Sequence, residues 1–191
     1  MYWFFSDPHF GHGNVIRYNN RPFRDSNEMD DCIIQNINDA VSEKDELWCL
    51  GDWCFTRERS QYEWYAKMLR DRIKCRRVHL IFGNHDKPYI GKFLTSASDY
   101  KVLRVSENGE KQKIILCHYP FLVWDGSHHS SWHLHGHCHG SLRDDPASLS
   151  FDCGVDCWDY KPVSYDMVKA KMSKKKYKAI DHHGAREHEG A

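Results

Sequence analysis

The chain has 191 residues, and 27 lysine and arginine side chains balance 27 aspartate and glutamate side chains, which gives a formal net charge of +0 at pH 7. This length predicts one domain with a substantial core, and the balanced charge removes any global argument for nucleic-acid or membrane binding. No secretory leader pattern precedes the first predicted strand, and no apolar stretch reaches membrane-spanning length. We therefore expect a cytoplasmic protein whose eight cysteines are reduced thiols.

Strands and helices alternate in the first half of the chain. Residues 1–5, 46–50 and 78–82 are short apolar runs that predict strands. Residues 27–41 predict a helix, with Met29, Ile33 and Ile37 at helical spacing and with Ser26 or Asn27 as its cap. A second helix is predicted at residues 58–70.

The second half of the chain is richer in strands. Residues 100–105 and 111–117 predict a hairpin across residues 107–109, and short strands follow near 132–136 and 149–154. Ser164 is the expected cap of a last helix that ends near residue 172. Helical crossovers in the first half of the chain and hairpins in the second half predict a mixed α/β fold, with two sheets face to face and helices outside. We assign residues 1–173 to this domain and 174–191 to a basic, then His-rich tail that we expect to be solvated.

Short polar motifs follow five of the predicted strands. They are Asp7-Pro8-His9, Gly51-Asp52, Gly83-Asn84-His85-Asp86, Cys117-His118 and Gly136-His137-Cys138-His139. Loops at strand ends converge in space, and carboxylate, amide and imidazole groups are the ligands of hard or borderline cations. Any one motif is commonplace, but all five in this order predict a two-metal hydrolase site.

Chemistry also divides the candidate ligands between two cations. Asp7 and His9 fit one cation, because alternate residues of an extended segment point the same way. Asp52 fits the bridge, since Gly51 lets the backbone turn tightly beside it. The second cation is expected to bind Asn84, His118 and His137, while His139 returns to the first.

In this order, the motifs resemble the calcineurin-like metallophosphoesterase superfamily. Residues 6–12, 14–23, 124–129, 154–156 and 159–163 further resemble a compact bacterial and phage branch of it. The resemblance implies a four-layer αββα sandwich and the same two sets of ligands. These are Asp7, His9, Asp52 and His139 for one ion, and Asp52, Asn84, His118 and His137 for the other. It also implies a catalytic role for His85, oriented by Asp86.

The expected activity is metal-dependent hydrolysis of a phosphodiester or a small nucleotide phosphoester. A hydroxide held between the two ions attacks phosphorus, and protonated His85 donates to the leaving oxygen. Manganese is the expected ion, with iron, nickel, cobalt or zinc as alternatives. The expected substrate is a small phosphodiester, a nucleotide or a nucleic-acid end. Its candidate contacts are polar residues of two loops, for which an ordinary solvent-facing position is the alternative: His12, Asn14, Arg17, Arg21, His128 and His129.

Three other functions stay open at this point. A phosphomonoesterase or protein phosphatase shares the same metal core. A non-catalytic scaffold of the same fold is disfavoured, because the ligand set and His85 are all present. A metal-storage or sensing protein is prompted by the 14 histidines. The oligomeric state is not predicted.

Overall fold

A computed structural model describes residues 1–56, 58–107 and 109–180 of the chain. Its helices and strands are, in chain order, β1 (Tyr2–Phe5), α1 (Gly13–Tyr18), α2 (Ser26–Ala40), β2 (Glu46–Cys49), α3 (Tyr62–Arg72), β3 (Arg77–Ile81), β4 (Ser96–Ser98), β5 (Tyr100–Glu107), β6 (Glu110–Cys117), β7 (Trp132–His135), β8 (Ser150–Asp152), β9 (Val163–Ser164) and α4 (Tyr165–Met172). Short 3₁₀ helices occupy Arg59–Gln61, Pro88–Phe93, Ser127–His129 and Val155–Cys157.

The strands form two mixed sheets. The first has the order β4-β3-β2-β1-β9, in which β1 to β4 run parallel and β9 pairs antiparallel with β1. The second has the order β5-β6-β7-β8, in which β5 and β6 form an antiparallel hairpin and β6, β7 and β8 run parallel. Parallel strands end at the same edge of a sheet, so the loops after β1, β2 and β3 share one edge and those after β6 and β7 share another.

Two apolar clusters hold these layers together. One packs α2 and α3 onto the first sheet and contains Met29, Ile33 and Leu69 with strand residues such as Leu47 and Leu80. The other fills the space between the sheets and extends to one side of α4. The predicted fold class, mixed α/β with two facing sheets and flanking helices in one domain, is confirmed.

Element boundaries differ from the prediction where capping or length decides them. The cap of α2 is Asp25, whose carboxylate accepts a hydrogen bond from the Glu28 N–H, and not Ser26 or Asn27. Such a cap contributes about 1 kcal/mol. The α-helix predicted from residue 58 begins at Tyr62, after a 3₁₀ turn. Neither α1 nor β4 was predicted, because six and three residues are too few to show a period.

The last described residues contact the body of the protein. Lys175 Nζ donates to Asp144 Oδ1 and to the Ser150 carbonyl, each at 2.6 Å, and the Tyr177 hydroxyl donates to the Ser127 carbonyl. The solvated end expected from residue 174 is therefore wrong for these two side chains, while residues 181–191 lie outside the described part of the chain. The division at residue 173 stays a prediction.

Within the described ranges, no helix is both long and apolar enough to cross a membrane. The cytoplasmic location stays a prediction. All eight cysteines are free thiols, as expected.

Candidate active site

The five polar motifs converge between the carboxyl ends of the two sheets. The His137 N–H donates to Asp7 Oδ2 at 2.9 Å and so joins the loop after β7 to the loop after β1. His118 Nδ1 lies 2.8 Å from the Leu50 carbonyl and joins the loop after β6 to the end of β2. The candidate ligands of both sheets therefore face one another.

The backbone of this site is strained at the candidate ligands. Five of them have positive φ angles, in a region that side-chain-bearing residues seldom adopt: Asp7 (55°), His9 (48°), Asp52 (56°), His137 (69°) and His139 (49°). Such conformations cost of order 1–3 kcal/mol each and cluster at functional sites. The extended geometry predicted for the Asp7 and His139 motifs is therefore wrong. Tight turns, rather than strand alternation, bring the flanking ligands together.

Glycines allow the loops to approach this closely. A Cβ at Gly136 would collide with Ser6 Oγ and with the Asp7 carboxylate, and a Cβ at Gly51 would collide with the imidazole of His118. Gly51 also has a φ of +113°, so the tight turn predicted there is present.

Asp7, His9 and His139 form one group whose ligand atoms all lie within 4.8 Å of one another. Asp7 Oδ1 and both ring nitrogens of His9 are buried and have no hydrogen-bond partner among the described residues. Burial raises the pKa of Asp7 to about 7 and lowers the pKa of His9 to about 2. Buried polar atoms are normally satisfied, so this set of orphaned donor atoms fits a cation.

Asp52 links this group to a second group of candidate ligands, which consists of His118, Asn84 and His137. Its Oδ2 lies 3.4 Å from His9 Nε2 and 3.6 Å from His118 Nε2, which is the position of a bridging oxygen. His118 Nδ1 donates to the Leu50 carbonyl, so Nε2 is the ring nitrogen that faces Asp52 and, at 3.1 Å, Asn84 Oδ1. Acceptors that face one another in this way are satisfied by a cation between them.

The rim of the second group is open. Asn84 Oδ1 also lies 3.1 Å from His137 Nδ1, and both residues are exposed, whereas Asp52 and His118 are buried. The centre therefore has a buried floor and a side that a substrate can reach.

His139 is held by a residue that the sequence did not single out as functional. Its Nδ1 lies 2.7 Å from Asp156 Oδ2, which leaves Nε2 facing Asp7 Oδ1 at 3.9 Å. Burial is the largest single effect and lowers the pKa of His139, but the hydrogen bond to Asp156 and the charges of Asp7 and Asp156 together outweigh it, so the pKa is raised. A carboxylate on the outer nitrogen fixes the tautomer of a metal-binding histidine and raises its basicity.

Arg21 is not placed to contact substrate. Its side chain is fully buried and binds Asp156 through two parallel hydrogen bonds of 2.8 and 2.7 Å. It also donates to the carbonyls of Asp7 (2.8 Å) and Pro8 (3.0 Å). The predicted substrate role is therefore wrong: the guanidinium braces the first ligand loop and the carboxylate that orients His139.

His85 lies beside the centre, but Asp86 does not orient it. The His85 N–H donates to Asp52 Oδ1 at 2.9 Å, and its ring lies 5.3 Å from the ring of His9. The buried Asp86 carboxylate instead accepts hydrogen bonds from the N–H groups of Asp52, Trp53 and Gly83, at 2.8 to 2.9 Å. Asp86 therefore ties the loop after β2 to the loop after β3.

Of the other predicted substrate contacts, His12 reaches the centre. Its ring lies 5.5 Å from the ring of His9 and 6.4 Å from that of His85, and it is half-buried. Burial lowers the pKa of His12. Asn14 and Arg17 lie on α1, where Arg17 is exposed and donates to Asn14 Oδ1 at 2.9 Å. Roles for these three residues stay predictions.

His128 and His129 lie at the wrong end of the second sheet. They belong to the 3₁₀ helix Ser127–His129, which precedes β7, whereas the candidate ligands follow β7. Their rings contact each other at 4.1 Å. The four-residue β7 lies between them and the centre, so the structure does not bring these two histidines to the candidate ligands, and their substrate role stays a prediction. Closeness to Gly136 in sequence is not closeness in space here, because β7 runs between them.

Sequence reasoning also missed two anchors of the ligand loops. Asp30 accepts hydrogen bonds from the Gly11 N–H at 3.0 Å and so holds the loop between His9 and His12. Asp152 accepts a hydrogen bond from the Gly140 N–H at 3.1 Å, just after His139. Asp152 is the last residue of β8 and Asp30 lies within α2, and neither belongs to one of the five polar motifs.

The fold and the centre together define a class of protein. Two facing sheets with carboxylates, imidazoles and an amide oxygen at their carboxyl ends form a candidate metal-dependent hydrolase site. The family model for calcineurin-like phosphoesterases matches residues 2–187, and the chain belongs to this family of hydrolases, whose members use divalent metal ions. The resemblance predicted from the motifs is thus confirmed.

Relatives extend over nearly the whole chain. It is 32% identical over 182 residues to an uncharacterised protein of Methanocaldococcus jannaschii, with 90% of each chain covered. It is 26% identical over 201 residues to the Gene 66 protein of Mycobacterium phage D29, covering 90% of this chain and 95% of the relative. A solved structure of a protein of unknown function from Aquifex aeolicus shares the fold, with a TM-score of 0.66, 22% identity and coverage of 89% and 98%.

Proposed function

We propose that this protein is a dinuclear metal-dependent phosphodiesterase of the cytoplasm that acts on small phosphodiesters, nucleotides or nucleic-acid ends. The observation that carries the proposal is the placement of Asp52 Oδ2 between His9 Nε2 and His118 Nε2, 3.4 and 3.6 Å away. A carboxylate oxygen this close to one imidazole nitrogen of each ligand set lies where a bridging ligand would lie.

Two sets of residues would hold the ions. Asp7, His9, Asp52 and His139 surround the first position, and Asp52, Asn84, His118 and His137 surround the second. When bound, divalent ions neutralise charge on the phosphate oxygens and supply a nucleophile near neutral pH. Mixed oxygen and imidazole ligands fit manganese, and also iron, nickel, cobalt or zinc.

His85 supplies the proton that the leaving group needs. Its backbone is fixed to the Asp52 carboxylate, and its half-buried ring borders the first group of ligands. A protonated imidazole there donates to the leaving ester oxygen, which avoids release of a free alkoxide. Asp86 acts only through the backbone, by holding the loop that carries His85 and Asn84.

The test is hydrolysis of bis-p-nitrophenyl phosphate by protein freed of metal and then supplied with Mn²⁺, Ni²⁺ or Zn²⁺. We expect turnover only with metal, weaker turnover of p-nitrophenyl phosphate, and two ions bound per chain. Asp52→Asn should lose ion binding and turnover. Asp39→Asn, the same change at an exposed helical position, should lose neither.

The His85 role has its own readout. His85→Ala should keep both ions but lose most of kcat, since general acid catalysis contributes typically 10²- to 10⁴-fold. An unchanged kcat in this metal-replete variant would contradict the assignment. Two bound ions without turnover of any phosphoester by the wild type would instead favour a scaffold, and preference for the monoester would favour a phosphomonoesterase.

A further inference from the structure

An exposed tyrosine borders one end of the candidate centre. The ring centroid of Tyr119 lies 4.8 Å from that of His137 and 5.1 Å from that of His118, and 42% of the residue is exposed. The chain beside it is anchored, because the Phe121 N–H donates to Nε2 of the buried His133 at 3.2 Å. A large planar side chain is therefore held at the open rim, next to the ligands of the second ion.

A different aromatic residue borders the other end. The ring of Phe55 lies 4.4 Å from the ring of His12 and 6.4 Å from the ring of His85. Phe55 is half-buried, and its N–H donates to the Phe10 carbonyl at 2.8 Å. No ring contact joins Tyr119 to Phe55, His12 or His85 in the described part of the chain, so the two aromatic groups lie at separate ends of the centre.

The position of His85 assigns the two ends to two parts of the substrate. The leaving group departs beside the proton donor His85, at the end of the centre that Phe55 borders. A phosphodiester keeps a second substituent on phosphorus. The opposite end of the centre, which Tyr119 borders, is then the end that receives this substituent. A monoester has no such substituent and cannot use this tyrosine.

We infer that Tyr119 is a specificity-determining residue that packs against a planar group on the non-leaving side of the phosphate. The substrate class is then a phosphodiester whose non-leaving substituent carries a planar ring system. This inference rests on the proposed function and narrows it. Stacking of a base on an aromatic side chain is worth about 1–3 kcal/mol, so a factor of about ten in kcat/KM is the expected size.

The experiment compares three substrates that share a p-nitrophenolate leaving group: phenyl p-nitrophenyl phosphate, methyl p-nitrophenyl phosphate and p-nitrophenyl phosphate. Tyr119→Ala should lower kcat/KM about tenfold on the phenyl diester and leave the methyl diester and the monoester nearly unchanged. Comparing variant with wild type on each substrate cancels intrinsic reactivity. Tyr119→Phe should retain the phenyl preference, and Trp64→Ala, which removes an aromatic ring exposed on α3, should change none of the three.

Equal losses on the phenyl and methyl diesters would overturn the inference, since a general disturbance of the centre lowers both. A binding measurement separates this failure from failure of the proposed function. Isothermal titration of Mn²⁺-loaded protein should give about tenfold tighter binding of diphenyl phosphate than of dimethyl phosphate, and Tyr119→Ala should remove the difference. Equal affinities in the wild type would overturn the inference whether or not the protein turns over any diester.

Discussion

Replacing Arg21 by lysine tests whether this residue braces the ligand loops or binds substrate. Its guanidinium makes four hydrogen bonds to oxygen, two with Asp156, one with the Asp7 carbonyl and one with the Pro8 carbonyl. Lysine keeps the positive charge but has a single nitrogen, which cannot reproduce the planar, bidentate contact with Asp156.

The size of the effect follows from the bonds that are lost. If lysine keeps two of the four hydrogen bonds, two are lost, each worth about 1.5 kcal/mol when a charged group takes part. The free energy of unfolding should then fall by about 3 kcal/mol. In a domain of this size, 1 kcal/mol shifts Tm by roughly 2–4 °C, so Tm should fall by on the order of 10 °C.

The assay is thermal and urea unfolding of the metal-free protein, with Arg17→Lys as the matched control. Arg17 is exposed on α1 and bonds only to Asn14 among its described contacts, so this variant should stay within about 0.5 kcal/mol of the wild type. A stable Arg21→Lys protein with wild-type Tm and a raised KM for diesters would refute the bracing role and restore the substrate role.

Three further predictions concern the same loops and the second sheet. Asp156→Asn should weaken binding of one of the two ions by about 10- to 100-fold in a metal titration, because His139 loses the carboxylate that fixes its tautomer; unchanged binding of both ions would contradict this. Gly136→Ala should cost about 1–3 kcal/mol in urea unfolding, because the new Cβ meets Ser6 and Asp7, whereas Gly13→Ala, with nothing within 4 Å, should be tolerated. Burial lowers the pKa of His133 from 6.5 to about 4, so the unfolded chain binds a proton there before the native protein does, and stability falls as pH drops through this range. The wild type should lose about 3 kcal/mol more than His133→Gln between pH 7 and pH 4, and parallel stability curves would exclude this histidine as the cause.

The fold was largely predictable because its main elements carry strong local patterns. The apolar spacing of α2 and the alternation in the hairpin of β5 and β6 each identify their element without tertiary information. Ser164 was also identified correctly as the cap of α4, and its hydroxyl accepts from the Met167 N–H. Short elements such as β4 exist only through pairing with β3, and no local pattern reports such a pairing.

The candidate ligands were also predictable, because metal-binding residue types are few and each group follows a strand. What the sequence could not show is which polar residue faces the substrate. Arg21 and His128 both lie near motifs in the chain, yet one is buried beneath the first ligand loop and the other lies before β7 instead of after it. Exposure and strand direction decide these cases, and both are properties of the folded chain.

Backbone strain at the ligands explains why several polar side chains near them form hydrogen bonds to backbone groups of the ligand loops. Asp7, Asp52 and His139 keep positive φ angles only if surrounding bonds offset the cost. Asp86 contributes three backbone N–H contacts and Arg21 two backbone carbonyl contacts, all in the loops that carry these ligands. The polar motifs therefore contain structural residues such as Asp86 as well as candidate ligands. Removing an anchor should reduce metal binding and stability together, whereas removing His85 should reduce turnover alone.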